Sequence, residues 1–168
     1  MSKSLNPEII ETATNHFCDL FQLSSCMERY KVEAMGVTRL QGYAIMQLFH
    51  EETLSLQELA TNVRLASSTM SRVMDKLVER ELVERDFDVN DRRRMIFQLS
   101  EDGQLLAETI HCCYEELYEM LMVEIPVDEQ EKFLYNLGKI LDKMRETFEE
   151  HICPCKGIAG NLKNTLKN

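Results

Sequence analysis

With 168 residues, 44% of them hydrophobic, the chain has enough apolar mass for one domain with a sizeable core. Its 19 Lys and Arg stand against 29 Asp and Glu, and the resulting net charge of −10 excludes a protein that clings to polyanions indiscriminately. No secretory signal and no membrane-length apolar run is read, so a cytoplasmic location is expected, where the 6 cysteines do not form a disulfide framework.

In chain order, Ile10, Ala13, Phe17, Leu20, Ser24 and Met27 repeat at three and four residues and predict a first amphipathic helix. A shorter helix is expected from Ser55, whose hydroxyl can cap it while Glu58 reaches back to the Ser55 amide, a capping box. Leu56, Leu59, Ala60 and Val63 give that helix an apolar face. After a turn at Arg64 and Leu65, a second helix is expected with a serine at its N-cap, around Ser67 and Ser68. Met70, Val73, Met74, Leu77 and Val78 face its core. Ser68, Thr69, Ser71, Arg72, Asp75, Lys76 and Glu79 face outward.

This is the pattern of a helix-turn-helix. Small hydroxyls at the start of its second helix, followed by Arg72 and Lys76, suit a helix inserted end-first into the DNA major groove, with Arg72 long enough to pair with guanine. On its own the same face also suits an ordinary solvated helix.

The next segment adds a hairpin. The run from Leu82 to Asp86 is extended in character, and Met95, Phe97 and Leu99 alternate like a half-buried strand. Turn formers from Phe87 to Asp91 lie between them, followed by Arg92, Arg93 and Arg94, which suit a narrow, negative minor groove. Asp91 is expected to hold an arginine side chain by a charge-assisted hydrogen bond. Between residues 64 and 94 eight basic residues meet seven acidic ones, so the DNA face is about neutral while the rest of the chain is acidic.

Leu106, Ile110, Cys113, Leu117 and Met120 mark a long helix after the hairpin, and Leu134, Leu137, Leu141, Met144 and Phe148 mark a last one. Pro126 separates them, with Asp128 placed to cap the second. Helical seams at both ends of the chain can wrap around a second copy, so a homodimer reading a pseudo-palindromic duplex is expected. The fold class is mostly α: a winged helix-turn-helix with long N- and C-terminal dimerisation helices and a two-stranded wing. The expected organisation is an N-terminal dimerisation helix at 1–36, the DNA-binding domain at 37–100, C-terminal dimerisation helices at 101–152 and a tail at 153–168.

Asp91 and Arg93, followed by Phe97, Leu99, Ser100 and Gly103, resemble the wing signature of the MarR family of bacterial transcription regulators. Glu58, Leu59, Ala60, Ser71, Leu77, Leu82, Val83 and Arg85 resemble its helix-turn-helix, and the similarity runs from about residue 38 to 103. The resemblance implies that Asp91 stabilises the wing and Arg93 enters the minor groove. The chain departs from the family at Glu81, where glycine commonly ends the recognition helix, and at Val89, where proline is common. A left-handed Glu81 would cost about 1 kcal/mol relative to glycine, so a different helix end is expected.

The resemblance also implies a repressor released by a small lipophilic effector in a crevice, here assigned to Phe17, Phe21, Met35, Tyr43 and Met46, although Met and aromatic residues at helical spacing are more often plain core. Cys18 is a candidate redox sensor by the same resemblance. Independently, His151, Cys153 and Cys155, joined by Cys112 and Cys113 beside His111, offer ligands to a soft metal ion or a thiol reagent. No cofactor is assigned. An enzyme is not expected, because paired carboxylates, a nucleophile-base pattern and a Gly-rich phosphate loop are missing from the sequence. The remaining alternative is a winged-helix module that contacts protein instead of DNA, favoured by Asp75, Glu79 and Glu81 and opposed by Arg72, Lys76 and Arg93.

Overall fold

The computed structural model describes residues 6–88, 91 and 93–149. In chain order they form α1 (Pro7–Ala34), α2 (Arg39–Glu51), β1 (Thr53–Ser55), α3 (Leu56–Asn62), α4 (Ser67–Glu79), β2 (Val83–Phe87), β3 (Met95–Leu99), α5 (Glu101–Met122) and α6 (Val127–Glu149). The chain divides into two compact units, one ending at Glu116 and one beginning at Leu117.

Local chemistry starts the helices of the first unit. Thr38 and Gln41 form a capping box ahead of α2, and Ser55 and Glu58 form the expected one ahead of α3. The serine cap expected for α4 is not made: Ala66 is the N-cap, Ser67 is already helical, and no side chain caps this end. The reason lies upstream. α3 ends in a Schellman motif with Arg64 left-handed at φ 57°, where the Leu65 amide donates to the Ala60 carbonyl at 2.8 Å and the Arg64 amide to Thr61 at 3.1 Å. The chain is released at Ala66, whose carbonyl accepts from the amides of Thr69 and Met70.

α4 closes in the same way. The Leu82 amide donates to Leu77 at 3.0 Å, the Glu81 amide to Val78 at 2.9 Å, and Glu81 takes the left-handed conformation at φ 58°. The different helix end expected at Glu81 is therefore wrong; the chain keeps the geometry and carries the strain. Glu81→Gly should accordingly stabilise the protein by about 1 kcal/mol, raising Tm by roughly 2–4 °C in a thermal melt. A lowered Tm would mean that the Glu81 side chain contributes more than its backbone costs.

Met70, Met74 and Leu77 bury one face of α4 completely, against Ala44, Ile45 and Leu48 of α2, Leu59 of α3 and Phe97 of β3 in one core cluster. Each such side chain stabilises the fold by about 1.5–3 kcal/mol. Ala107 and Ile110 of α5 belong to the same cluster.

The sheet is antiparallel in the order β1-β3-β2. The two-stranded wing, β2 with β3, is thus extended by β1, which pairs Leu54 with Phe97 and Ser55 with Ile96. Phe97 is buried, but Met95 at the mouth of the hairpin is 42% exposed, so the expected alternation holds only toward the base. In the second unit, Pro126 precedes α6 and its carbonyl accepts from Glu129 at 2.8 Å. Asp128 lies inside the first turn and is not the cap; its charge there still complements the helix dipole.

Candidate nucleic-acid interface

The buried face of α4 fixes how the helix is rotated, and so which side chains it offers. Ser67, Ser68, Thr69, Arg72, Asp75, Lys76 and Glu79 are exposed, while Ser71 is half-buried. Hydroxyls and uncapped amides at the start of a helix suit phosphate or base-edge acceptors. Lys76 pairs with Glu79 at 2.9 Å and holds the pKa of that carboxyl below its ordinary value. The pair is fully at the surface, where such contacts exchange readily.

The wing is closed by main-chain bonds, Asp88 amide to Arg94 carbonyl at 2.9 Å and Arg94 amide to Asp91 carbonyl at 2.8 Å. The Asp91 carboxylate accepts from the Arg93 backbone amide at 3.0 Å. This corrects the expectation of a carboxylate holding a guanidinium: Asp91 shapes the turn and leaves the exposed Arg93 side chain to extend from it.

Arg94 behaves differently from its neighbour. Its guanidinium donates to Glu58 Oε2 at 2.5 Å and lies 3.9 Å from Asp88, so in the single chain it is turned toward the α3 cap. Glu58 gathers this bond together with the amide and hydroxyl of Ser55, each at 2.8 Å. Arg94 first, then the two Ser55 donors, hold the Glu58 carboxyl down at about 2. Arg92 lies outside the described residues.

Two contacts were not foreseen from the sequence. Arg80, at the C-cap of α4, donates to the Gly36 carbonyl at 2.8 Å and ties that end to the turn after α1, where Gly36 has φ 68°. Ser100 donates its hydroxyl to the Glu81 carbonyl at 2.6 Å and its amide to Leu82 at 3.2 Å. The spacing of Ser100 and Gly103 was visible in the sequence, but not what it holds.

The residues assigned to an effector crevice have separate surroundings. Phe17 and Phe21 stack on α1 with centroids 6.2 Å apart. Met35 and Met46 pack against the core cluster. The Tyr43 hydroxyl donates to Glu28 at 2.8 Å, and burial, followed by that carboxylate, pushes the phenol up to about 12. Cys18 and Cys112 are exposed and Cys113 is half-buried; His111 turns to Glu115 at 3.4 Å. Among the described residues, no three or more His, Cys, Asp or Glu are grouped to hold a metal ion. His151, Cys153 and Cys155 lie outside the described residues. No described helix is long and apolar enough to cross a membrane.

The helix-turn-helix with its arginine-tipped hairpin is matched by known proteins. The MarR family profile covers residues 37–95. The transcriptional repressor MprA of Escherichia coli is 30% identical over 121 residues, spanning 68% of each chain. The chain belongs to the MarR family. It is a DNA-binding transcription regulator, as MarR proteins are. The MarR segment runs from the turn before α2 to the first residue of β3, and so contains α4 and the whole wing loop. The HTH-type transcriptional repressor NicR of Pseudomonas putida is 25% identical over 134 residues, 80% of each chain. The crystal structure of S. aureus MepR in its DNA-binding conformation superposes with a TM-score of 0.64 at 25% identity, covering 76% of this chain and 98% of that one. The likeness to MepR therefore extends beyond the segment that the family profile covers.

Proposed function

We propose that this MarR-family regulator is a cytoplasmic homodimeric repressor of a pseudo-palindromic site. Residues 37–100 read the duplex, and the helices of 1–36 and 101–152 join the two copies. α4 enters the major groove with Ser67, Ser68, Thr69, Ser71, Arg72 and Lys76, and the wing lays Arg93 into the minor groove. The observation that carries this reading is the exposed Arg93 on a turn held by Asp91, alongside an α4 face fixed in rotation by its buried residues.

Dimerisation is supported by the apolar surface of the terminal helices. Ile9, Ile10, Leu20, Phe21 and Leu23 on α1, and Leu134, Leu141, Met144 and Phe148 on α6, are all at least 40% exposed in the single chain. Isolated surface leucines are ordinary, but this density along two helices calls for a covering surface. The names of NicR and MprA support repression as the sign of regulation. An effector would act by changing the spacing of the two α4 helices, since only a ligand that binds one spacing better than the other can shift the balance. The aromatic and sulfur-bearing residues of α1 and α2, or the Cys18 thiol, are where it would act.

Arg93→Ala tests the reading directly. It should cost about 1 kcal/mol at each wing, roughly thirtyfold in affinity for a dimer, without changing base preference in the major groove. The measurement is fluorescence anisotropy with a duplex that the wild-type protein has selected from random-sequence DNA. Unchanged affinity would remove the wing from the interface.

A further inference from the structure

The ion pair beneath the wing has a role beyond folding α3. From the contacts of Glu58, Arg94 and Asp91, we infer that Glu58 is a positioning residue for DNA binding: by gripping Arg94 it fixes the base of the wing to the α3 cap and so aims Arg93. The inference rests on the proposed minor-groove role of Arg93.

The strand register brings these groups together. β1 pairs Ser55 with Ile96, and Ser55 is also the N-cap of α3, so the start of the helix is stitched to β3. Arg94 lies two residues before Ile96, on the same side of the extended line, and is a diagonal neighbour of the α3 cap. Glu58, three residues into the capping box, has already turned back toward Ser55, and the same oxygen that caps the helix receives Arg94 Nη2. Arg94 meanwhile closes the wing at both main-chain positions, through Asp88 and Asp91. Asp91 fixes the Arg93 amide. The chain of contacts is therefore continuous from the first turn of the helix-turn-helix to the backbone that carries Arg93.

Asp88 does not substitute for Glu58. It belongs to the wing itself and approaches Arg94 only to 3.9 Å, so pairing with it would close the hairpin without connecting it to α3. Of the two acidic partners, Glu58 alone spans the two elements. A wing held this way has its arginine largely ordered before DNA arrives. Without the grip, ordering has to occur on binding, which weakens affinity by about two- to tenfold at each wing.

Glu58→Gln separates this role from helix capping, because glutamine also completes a capping box. In the full-length protein it should leave the thermal melt nearly unchanged and weaken binding to the selected duplex about two- to tenfold per wing. Arg94→Gln should do the same, and the two together should cost no more than either alone. The deciding comparison is in the Arg93→Ala background, where Glu58→Gln should have no further effect on affinity. Equal losses with and without Arg93, unchanged affinity of Glu58→Gln, or tighter binding to random duplex, which would show Arg94 to be a masked DNA contact, would each overturn the inference. If Arg93→Ala alone binds like wild type, the minor-groove reading fails first. If it weakens binding while Glu58→Gln fails the comparison, the positioning role alone fails.

Discussion

Gly103→Ala should destabilise the protein by about 3 kcal/mol or more and abolish specific DNA binding with it. A Cβ built on Gly103 would lie 1.9 Å from the Leu82 carbonyl oxygen and 2.9 Å from its carbon. Both are backbone atoms, so no side-chain rotation relieves the contact. The Leu82 carbonyl cannot move freely, because it accepts from the Ser100 amide and its own amide completes the Schellman motif of α4 through Leu77. Ser100 in turn holds the Glu81 carbonyl and accepts from the Gly103 amide at 3.0 Å. Accommodating one methyl group requires the first turn of α5 to part from the end of α4, which loosens the left-handed Glu81 and the start of β2 together. Urea unfolding measures the stability loss, and anisotropy with the selected duplex measures the binding. A variant that unfolds at the wild-type urea concentration would show that α5 can move off Leu82 without cost.

The same junction shows what the sequence could and could not disclose. The capping box of Ser55 and Glu58 was legible because all its groups lie within three residues, and the buried face of α4 was legible because a helical period declares itself over two turns. β1 was not: Thr53, Leu54 and Ser55 are too few to show an alternation, and only pairing with β3 makes them a strand. Glu81 was recognised as the place where a glycine commonly stands, yet the price of its conformation suggested avoidance. In the fold the two Schellman bonds and the Ser100 hydroxyl outweigh about 1 kcal/mol of local strain.

The arginine cluster was readable in composition and not in direction. Arg92, Arg93 and Arg94 look alike in sequence, but the partner of Arg94 lies 36 residues away on α3, and nothing local predicts that contact. Asp91 was correctly placed in the wing and wrongly aimed, since a backbone amide two residues on competes well with a flexible guanidinium. The Ser67 cap failed by one residue because the end of α3 decides where α4 can begin. The Arg94 and Ser67 misses share a cause: each depends on a contact between elements, where the period of a single element carries no information.

Arg72→Ala should weaken binding to the selected duplex at least thirtyfold and relax base preference, while leaving the thermal melt unchanged. Arg72 is exposed on α4, one turn beyond Ser68, on a helix whose opposite face is locked by Met70, Met74 and Leu77. That lock matters because a bidentate guanidinium-guanine pair discriminates only when the helix cannot roll, and it then contributes about 1–3 kcal/mol per base. Two half-sites double the loss to about 2–6 kcal/mol, which makes this the largest binding effect of any single exposed side chain. Lys76 differs, since its charge is already shared with Glu79 and an ammonium pairs with phosphate without reading a base. The salt dependence separates the two roles: loss of a phosphate contact lowers the slope of log affinity against log salt by about 1 per protomer and weakens all sequences alike. A steep loss on the selected duplex with a nearly constant slope would place Arg72 on a base edge. A uniform loss with a shallower slope would place it on the backbone and move sequence reading to the hydroxyls of Ser68, Thr69 and Ser71.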